Sequence, residues 1–378
     1  MRIAVLGLRG MPGVSGGIET HCEQLYGQLA RLRATDDIFV LGRQAYLPDG
    51  PTRFGHVTVI PLPHLRSEKF ETISNSLCGI FYSRFRLHAD LVHVHGICSA
   101  TLAPLAKLLG MKVVVTHHGR DYIRQKWSDV ERLLLRMGEW CGAMFAHQVI
   151  AVSPSIARYL EEKYPGAHVS FVPNGADHLR RVPTESSEVS TILGRFGLRP
   201  EEFVMSVGRL DPDKGFDDLI AAFLQSECQG KLVIVGDDPR GSKYAKALLA
   251  RASDRIIFTG FLRAPEIAAL LSAASLFVLA SHQEGFPICA LEAAMIGTPL
   301  ILSDIPATRD LAFEDRRFFP VGDVSALARM LSAPHERYSI PDRGRLAQFQ
   351  WASVAASTAA TYDQAAGIPI CTAVVGAD

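Results

Sequence analysis

Long hydrophobic runs are missing from this 378-residue chain. The uncharged stretch from Ile267 to Ala280 falls short of the roughly 18 residues that a membrane-spanning helix needs. No secretory leader is expected either, because only the short run Ile3 to Leu8 separates Arg2 from Arg9, and a leader requires a longer apolar centre. Cysteines number seven, are scattered and form no Cys-x-x-Cys pair. That pattern argues against a disulfide framework and predicts a reducing, cytoplasmic setting. Net charge is absent, Lys+Arg and Asp+Glu both standing at 39, so nothing would hold nucleic acid phosphates non-specifically and no nucleic acid partner is expected. Heptads, solenoid periods and low-complexity blocks are absent as well.

What remains is a chain that can bury a large core, with 48% hydrophobic and 21% charged residues, and its length suggests two domains. Short β-rich runs alternate with segments of helical period, the pattern of parallel sheets covered on both faces. Strands are expected at Ile3 to Leu6, Ile38 to Leu41, His56 to Ile60, Asp90 to His95, Lys112 to Thr116, Gln148 to Ala151 and His168 to Val172. After a linker that includes Thr184 to Glu188, they resume at Phe203 to Val207, Lys231 to Val235, Arg255 to Phe258, Leu276 to Leu279 and Pro299 to Leu302. Ile18, Cys22, Leu25 and Leu29 share one helix face, as do Phe216, Leu219, Ile220 and Phe223. Trp351, Val354, Ala355 and Tyr362 suggest a final helix, and a loose tail follows from Pro369. The expected divisions are 1–180, 181–350 and 351–378.

Ligands of open α/β sheets bind beyond the carboxyl ends of the strands, so three loops stand out. Gly7 to Gly17 is glycine-rich and leads into a helix, where free N–H groups favour phosphate. Its Gly7, Gly10 and Gly13, together with Tyr159 and Lys163, also sketch an NAD-dependent nucleotide-sugar epimerase or dehydrogenase; against this, the helical period begins only after Gly17. The second loop, Val207 to Gly215, sets Arg209 and Lys214 where a diphosphate could bridge them without a metal, unless they merely pair with Asp211 and Asp213. The third, His282 to Met295, places Glu284 in a loop and Glu292 in the following helix, both toward one ligand, with the N–H groups of Ile288, Cys289 and Ala290 facing phosphate. His93, His95, His117 and His118 could be imagined as metal ligands, but no carboxylates accompany them and the Arg/Lys pair makes a cation unnecessary. No metal and no cofactor is expected.

In order along the chain, these segments resemble the retaining nucleotide-sugar glycosyltransferases of family four, which have the GT-B fold. The resemblance rests on Ser15-Gly16-Gly17-Ile18-Glu19, Val92-His93-Val94-His95-Gly96, Thr116-His117-His118-Gly119, Val152-Ser153, Val172-Pro173-Asn174-Gly175, Val207-Gly208-Arg209-Leu210 with Lys214-Gly215, and the Glu284 to Glu292 segment through Gly297-Thr298-Pro299. The opening and the run Thr116 to Trp127 look like bacterial capsule, exopolysaccharide or lipopolysaccharide enzymes. The resemblance implies two doubly wound, Rossmann-like α/β domains facing across a cleft, with the last helix returning to the first. It implies Arg209 and Lys214 as a diphosphate clamp, Glu284 and His118 at the donor sugar, Glu292 at the ribose, Gly16 and Gly17 over the diphosphate, and main chain near Phe261 and Leu262 at the base. Phe286, Pro287, Ile288 and Cys289 complete the donor site; Pro287 stands where many relatives carry glycine, so phosphate donors would begin at Ile288. The implied partners are a nucleotide-diphosphate sugar and a glycan or lipid-linked acceptor, the rival being a sugar-nucleotide binder without turnover.

Residues 1–175 hold 19 basic against 14 acidic side chains, the rest 20 against 25. The stretch Leu65 to Leu87 sets Arg66, Lys69, Arg84 and Arg86 around Leu77, Ile80, Phe81 and Phe85, which a helix would place largely on one side. Peripheral attachment to an anionic inner membrane face is therefore expected.

Overall fold

The computed structural model describes residues 1–67, 70–124, 127–238, 241–340 and 344–368. It divides into two compact units, 1–175 with the segment from Trp351 onward, and 176–350. The N-terminal unit is built on β1 (Arg2–Leu6), β2 (Asp37–Arg43), β3 (Thr52–Phe54), β4 (Val57–Leu62), β5 (Leu91–His95), β6 (Lys112–His117), β7 (Gln148–Ala151) and β8 (Val169–Phe171), in the order β3-β4-β2-β1-β5-β6-β7-β8. Among the described residues of this sheet, only β3 runs antiparallel to its neighbour. It escaped the sequence reading because Thr52, Arg53 and Phe54 make a short edge strand with no buried residue. Helices α1 (Gly17–Leu32), α2 (Glu71–Phe85), α3 (Ile97–Ala100), α4 (Ala103–Leu108), α5 (Asp129–Phe145) and α6 (Pro154–Lys163) connect the strands.

Strand composition explains the burial. Ile3 to Leu6 and Val113 to Val115 are at most 2% exposed, as expected of parallel strands covered on both faces. α5 starts at a capping box between Ser128 and Glu131, which satisfies end N–H groups that the helix itself cannot. It then lies so close to α3 that a Cβ on Gly138 would sit 2.0 Å from the Ile97 carbonyl oxygen.

In the C-terminal unit, β9 (Phe203–Val207), β10 (Lys231–Val235), β11 (Ile256–Gly260), β12 (Leu276–Leu279), β13 (Leu300–Ser303) and β14 (Phe318–Phe319) form a parallel sheet ordered β11-β10-β9-β12-β13-β14. Its helices are α7 (Ser187–Phe196), α8 (Phe216–Gln225), α9 (Lys243–Leu249), α10 (Ala264–Ala273), α11 (Ile288–Ile296), α12 (Pro306–Arg309) and α13 (Val324–Ser332). The expected linker through Glu188 needs correction: Ser186 caps α7 by accepting from the Val189 N–H, and Val189, Ile192 and Leu193 are buried. The cluster of Ser, Thr and Glu that reads as a linker is a helix start.

The last helix, α14 (Trp351–Ala366), packs Trp351, Val354, Ala355 and Tyr362 into the N-terminal core with Cys22, Leu25, Tyr26 and Leu29 of α1. Arg33, the C-cap of α1, fastens it by a 2.7 Å ion pair to Asp363. The architecture is thus two doubly wound α/β units with the final helix returned to the first. The tail from Pro369 lies outside the described residues.

Candidate functional site

In each sheet the strand order reverses at the middle, and the crevice beyond the carboxyl ends of the two strands flanking the reversal is where ligands bind. In the C-terminal unit those strands are β9 and β12. The loop after β9 carries Arg209 and Lys214; the loop after β12 carries Glu284. Gly215, with φ of +64°, turns the first loop into α8, and a Cβ there would lie 2.1 Å from the Ala280 carbonyl oxygen of the second. The close approach requires glycine.

Across this junction Lys214 Nζ lies 2.5 Å from Glu284 Oε1, and the buried Ser281 hydroxyl donates to the same oxygen at 2.7 Å. Arg209 stands 3.9 Å from Asp211 and is 43% exposed. Lys214 therefore pairs with Glu284, not with Asp213, whose carbonyl accepts from the His282 N–H. His282 in turn meets Asp218 at 2.6 Å.

Pro287 is the N-cap of α11, so the first helical N–H belongs to Ile288, and N–H groups in this turn have no acceptor within the helix. Burial pushes the Cys289 thiol up to about 12, and Lys214, Glu284 and Glu292 all exert their charge on it. The two glutamates thus share a neighbourhood. Glu292 is nevertheless held by His178 at 3.0 Å, both side chains about one-tenth exposed, an engagement the sequence reading missed. Phe286 packs on Phe349. After β11, Leu262 is buried and Phe261 is 54% exposed, beside an open depression lined also by Arg195, Arg263, Pro265 and Glu266.

In the N-terminal unit the reversal lies between β1 and β5. Gly16 caps α1 and Gly17 begins it, while Glu19 turns back to accept from the Arg9 N–H at 3.0 Å. His118 follows β6 and lies against His95 and His21, its pKa lowered well below the usual histidine range chiefly by burial, the nearby rings of His21, His93 and His117 further disfavouring a positive charge. Ring nitrogens of His21, His95 and His118 come within 4.8 Å of one another. His95, however, uses both nitrogens, one on Tyr26 and one on His118, so a cation could take its Nδ1 only by breaking the His118 bond. His117 turns elsewhere, to Glu139 at 3.1 Å.

Two family models match, "Glycosyltransferase Family 4" over residues 15–180 and "Glycosyl transferases group 1" over residues 201–334. A 2-deoxystreptamine glucosyltransferase of Streptomyces kanamyceticus is 31% identical over 65% of this chain and 69% of its own. The chain belongs to glycosyltransferase family 4. Other relatives of this glycosyltransferase include an alpha-maltose-1-phosphate synthase of Mycolicibacterium smegmatis, 26% identical over 96% of this chain and 99% of its own. A GDP-mannose:cellobiosyl-diphosphopolyprenol alpha-mannosyltransferase of Xanthomonas oryzae is 27% identical over 74% of this chain and 76% of its own. Among solved structures, sucrose-phosphate synthase of Thermosynechococcus elongatus superposes with a TM-score of 0.80 at 24% identity, over 97% of this chain and 99% of its own. Anabaena HepE in complex with UDP and glucose does so with 0.73 at 18% identity, over 96% and 99%. Both support the GT-B fold.

The glycosyltransferase has other uses for the residues that sketched an epimerase. Tyr159 and Lys163 both donate to Glu139 Oε1, at 3.0 and 2.8 Å, and α1 starts after the glycines that would have had to open it. They are structural partners of a buried carboxylate.

Proposed function

We propose that this glycosyltransferase is a retaining, metal-independent enzyme that moves a hexose from a nucleotide-diphosphate sugar to a hydroxyl of a lipid-linked glycan, in assembly of a bacterial surface polysaccharide. The observation that carries the reading is the Lys214–Glu284 pair at the β9/β12 reversal, with Arg209 on the same loop as Lys214 and the first turn of α11 following the loop of Glu284. An ammonium has three protons, so Lys214 can keep Glu284 and still reach a phosphate oxygen. Lys214 and Arg209 then stabilise the charge that grows on the leaving diphosphate, and the leaving oxygen takes the proton of the acceptor attacking on the same face. Glu284 accepts from donor-sugar hydroxyls and His118 meets the same sugar. Glu292, oriented by His178, takes the ribose; main chain at Phe261 and Leu262 takes the base; Gly16 and Gly17 cover the diphosphate. The polyprenol-linked acceptor named for the Xanthomonas relative supports the acceptor class.

A thermal-shift screen with UDP-, GDP- and dTDP-sugars in EDTA tests this reading. At 100 times its Kd the true donor should stabilise the fold by about 2.7 kcal/mol, and transfer should persist under chelation because Arg209, Lys214 and α11 supply the positive field. Loss of transfer in EDTA, restored by Mg²⁺ or Mn²⁺, would overturn the metal-free mechanism. Glu284→Gln should lower turnover by about a hundredfold while the nucleotide diphosphate binds nearly as before; equal losses would give Glu284 to the nucleotide instead.

Attachment to a membrane draws support from two helices. On α2, Leu77, Phe81 and Phe85 are exposed, but Ile80 is fully buried, so the expected apolar face is narrower; Lys69 lies outside the described residues. Beyond the sequence reading, α5 exposes Val130, Leu133, Leu134, Met137, Trp140 and Met144, a stripe at helical spacing flanked by Arg132 and Arg136. A stripe of this length on the outside of a helix is the mark of an interaction surface. Each nearby cation adds about 1 kcal/mol on an anionic surface. In flotation the protein should bind anionic vesicles, and Leu133→Glu with Trp140→Glu should release it; equal binding to neutral vesicles would remove the electrostatic part.

A further inference from the structure

Beneath His118 lies a chain of hydrogen bonds in which no charged side chain takes part. Thr116 Oγ1 is 2.7 Å from His93 Nε2. His93 Nδ1 has two phenols beside it, Tyr362 at 2.6 Å and Tyr26 at 2.8 Å. Tyr26 is also 2.6 Å from His95 Nε2, and His95 Nδ1 is 2.9 Å from His118 Nε2. Burial lowers His93 to about 3 and takes His95 and His118 well below the usual range, so each ring is neutral. Burial likewise raises the pKa of both phenols, keeping them protonated.

Counting protons then decides where each one sits. A neutral imidazole has one N–H and one in-plane lone pair, a phenol one proton. Suppose His93 Nδ1 is the acceptor. It takes one proton, and Tyr362 is the nearer donor. Whichever phenol supplies it, the other oxygen stands 2.8 Å or less from the same lone pair with no proton between them. Suppose instead His93 Nδ1 carries the proton. Neither phenol can then donate to it; Tyr362, which is hydrogen-bonded to Tyr26, gives its proton to the Tyr26 oxygen, and Tyr26 is left with His95. This is the arrangement in which every proton has an acceptor, and in it Tyr26 donates to His95 Nε2. His95 must then donate from Nδ1 to His118 Nε2, which leaves the proton of His118 on Nδ1, the nitrogen with no partner among the described residues.

We propose that Tyr26, acting through His95, is a positioning residue that holds the proton of His118 on Nδ1, so that His118 meets the donor sugar as a hydrogen-bond donor and not as a base. The role at the sugar rests on the glycosyltransferase reading above; the tautomer does not. Long-range ¹H–¹⁵N correlation spectra of the substrate-free protein, labelled at histidine nitrogen and assigned with His118→Asn, test the tautomer alone. The expected pattern has a protonated Nδ1 and a bare Nε2 on His118. A proton on Nε2, or an imidazolium, overturns the proposal whether or not the protein transfers sugar. Tyr26→Phe, which removes the directing proton, should move His118 toward the Nε2–H form and lower kcat by about tenfold with little change in donor KM. A His118 signature unchanged by Tyr26→Phe would mean that Tyr26 only fills space.

Discussion

Lys214→Ala is expected to reduce sugar transfer by about a hundredfold or more while the protein remains folded. The physical reason is differential. In the resting protein Lys214 neutralises Glu284, but when the glycosidic bond breaks, charge accumulates on the diphosphate and the same ammonium becomes worth more. Only interactions that strengthen toward the transition state raise the rate. The loop is polar and Ser281 still donates to Glu284 in the variant, so the fold should survive. Arg209→Ala should behave alike, since its guanidinium is half exposed. Initial rates with the donor identified by thermal shift, beside melting curves of both variants, provide the check; wild-type turnover in either would remove that residue from the clamp.

The largest effect on stability should come from Glu139→Ala, about 3 to 5 kcal/mol, because it strips a buried anion from partners that remain. Glu139 is 2% exposed and receives His117, Tyr159, Lys163 and Tyr164. Burial alone would raise its pKa, but the bonds from His117 and Lys163 outweigh it and hold the carboxyl at about 2, below the ordinary 4.5. A depressed carboxylate stabilises the fold fully above its unfolded value and loses that contribution as pH falls through the folded one. Wild-type stability should accordingly decline between about pH 5 and pH 2, and in Glu139→Gln that decline should be shallower. Urea unfolding across this interval measures it; parallel acid limbs would mean that other carboxylates govern.

Much of this was legible from local pattern. The parallel strands announce themselves as apolar runs, and glycines with Arg209, Lys214 and Glu284 sit within a few residues of strand ends. Partnerships across the sheet were not. His178 on Glu292, or Tyr362 beside His93, join residues more than a hundred positions apart, and nothing in the intervening sequence marks them. α5 went unread for a different reason: apolar residues at helical spacing do not say which side meets the core, and its inner side is formed by Leu135, Gly138, Glu139 and Gly142. Periodicity reveals that a helix has two sides and leaves open which one meets the core. The same ambiguity on α2 put Ile80 with the exposed Phe81.

The return of α14 reverses the order in which the two units can be completed during synthesis. Residues 176–350 are continuous, whereas the N-terminal unit is assembled from two separated parts of the chain. A ribosome has therefore released everything the C-terminal unit requires before the N-terminal unit has received Trp351, Val354, Ala355 and Tyr362. Until then the side of α1 that carries Cys22, Leu25 and Leu29 has no cover from α14, and Tyr26 has no Tyr362 beside it. The half made first is finished last, and in the interval its uncovered apolar helix face is the surface that chaperones and aggregation compete for.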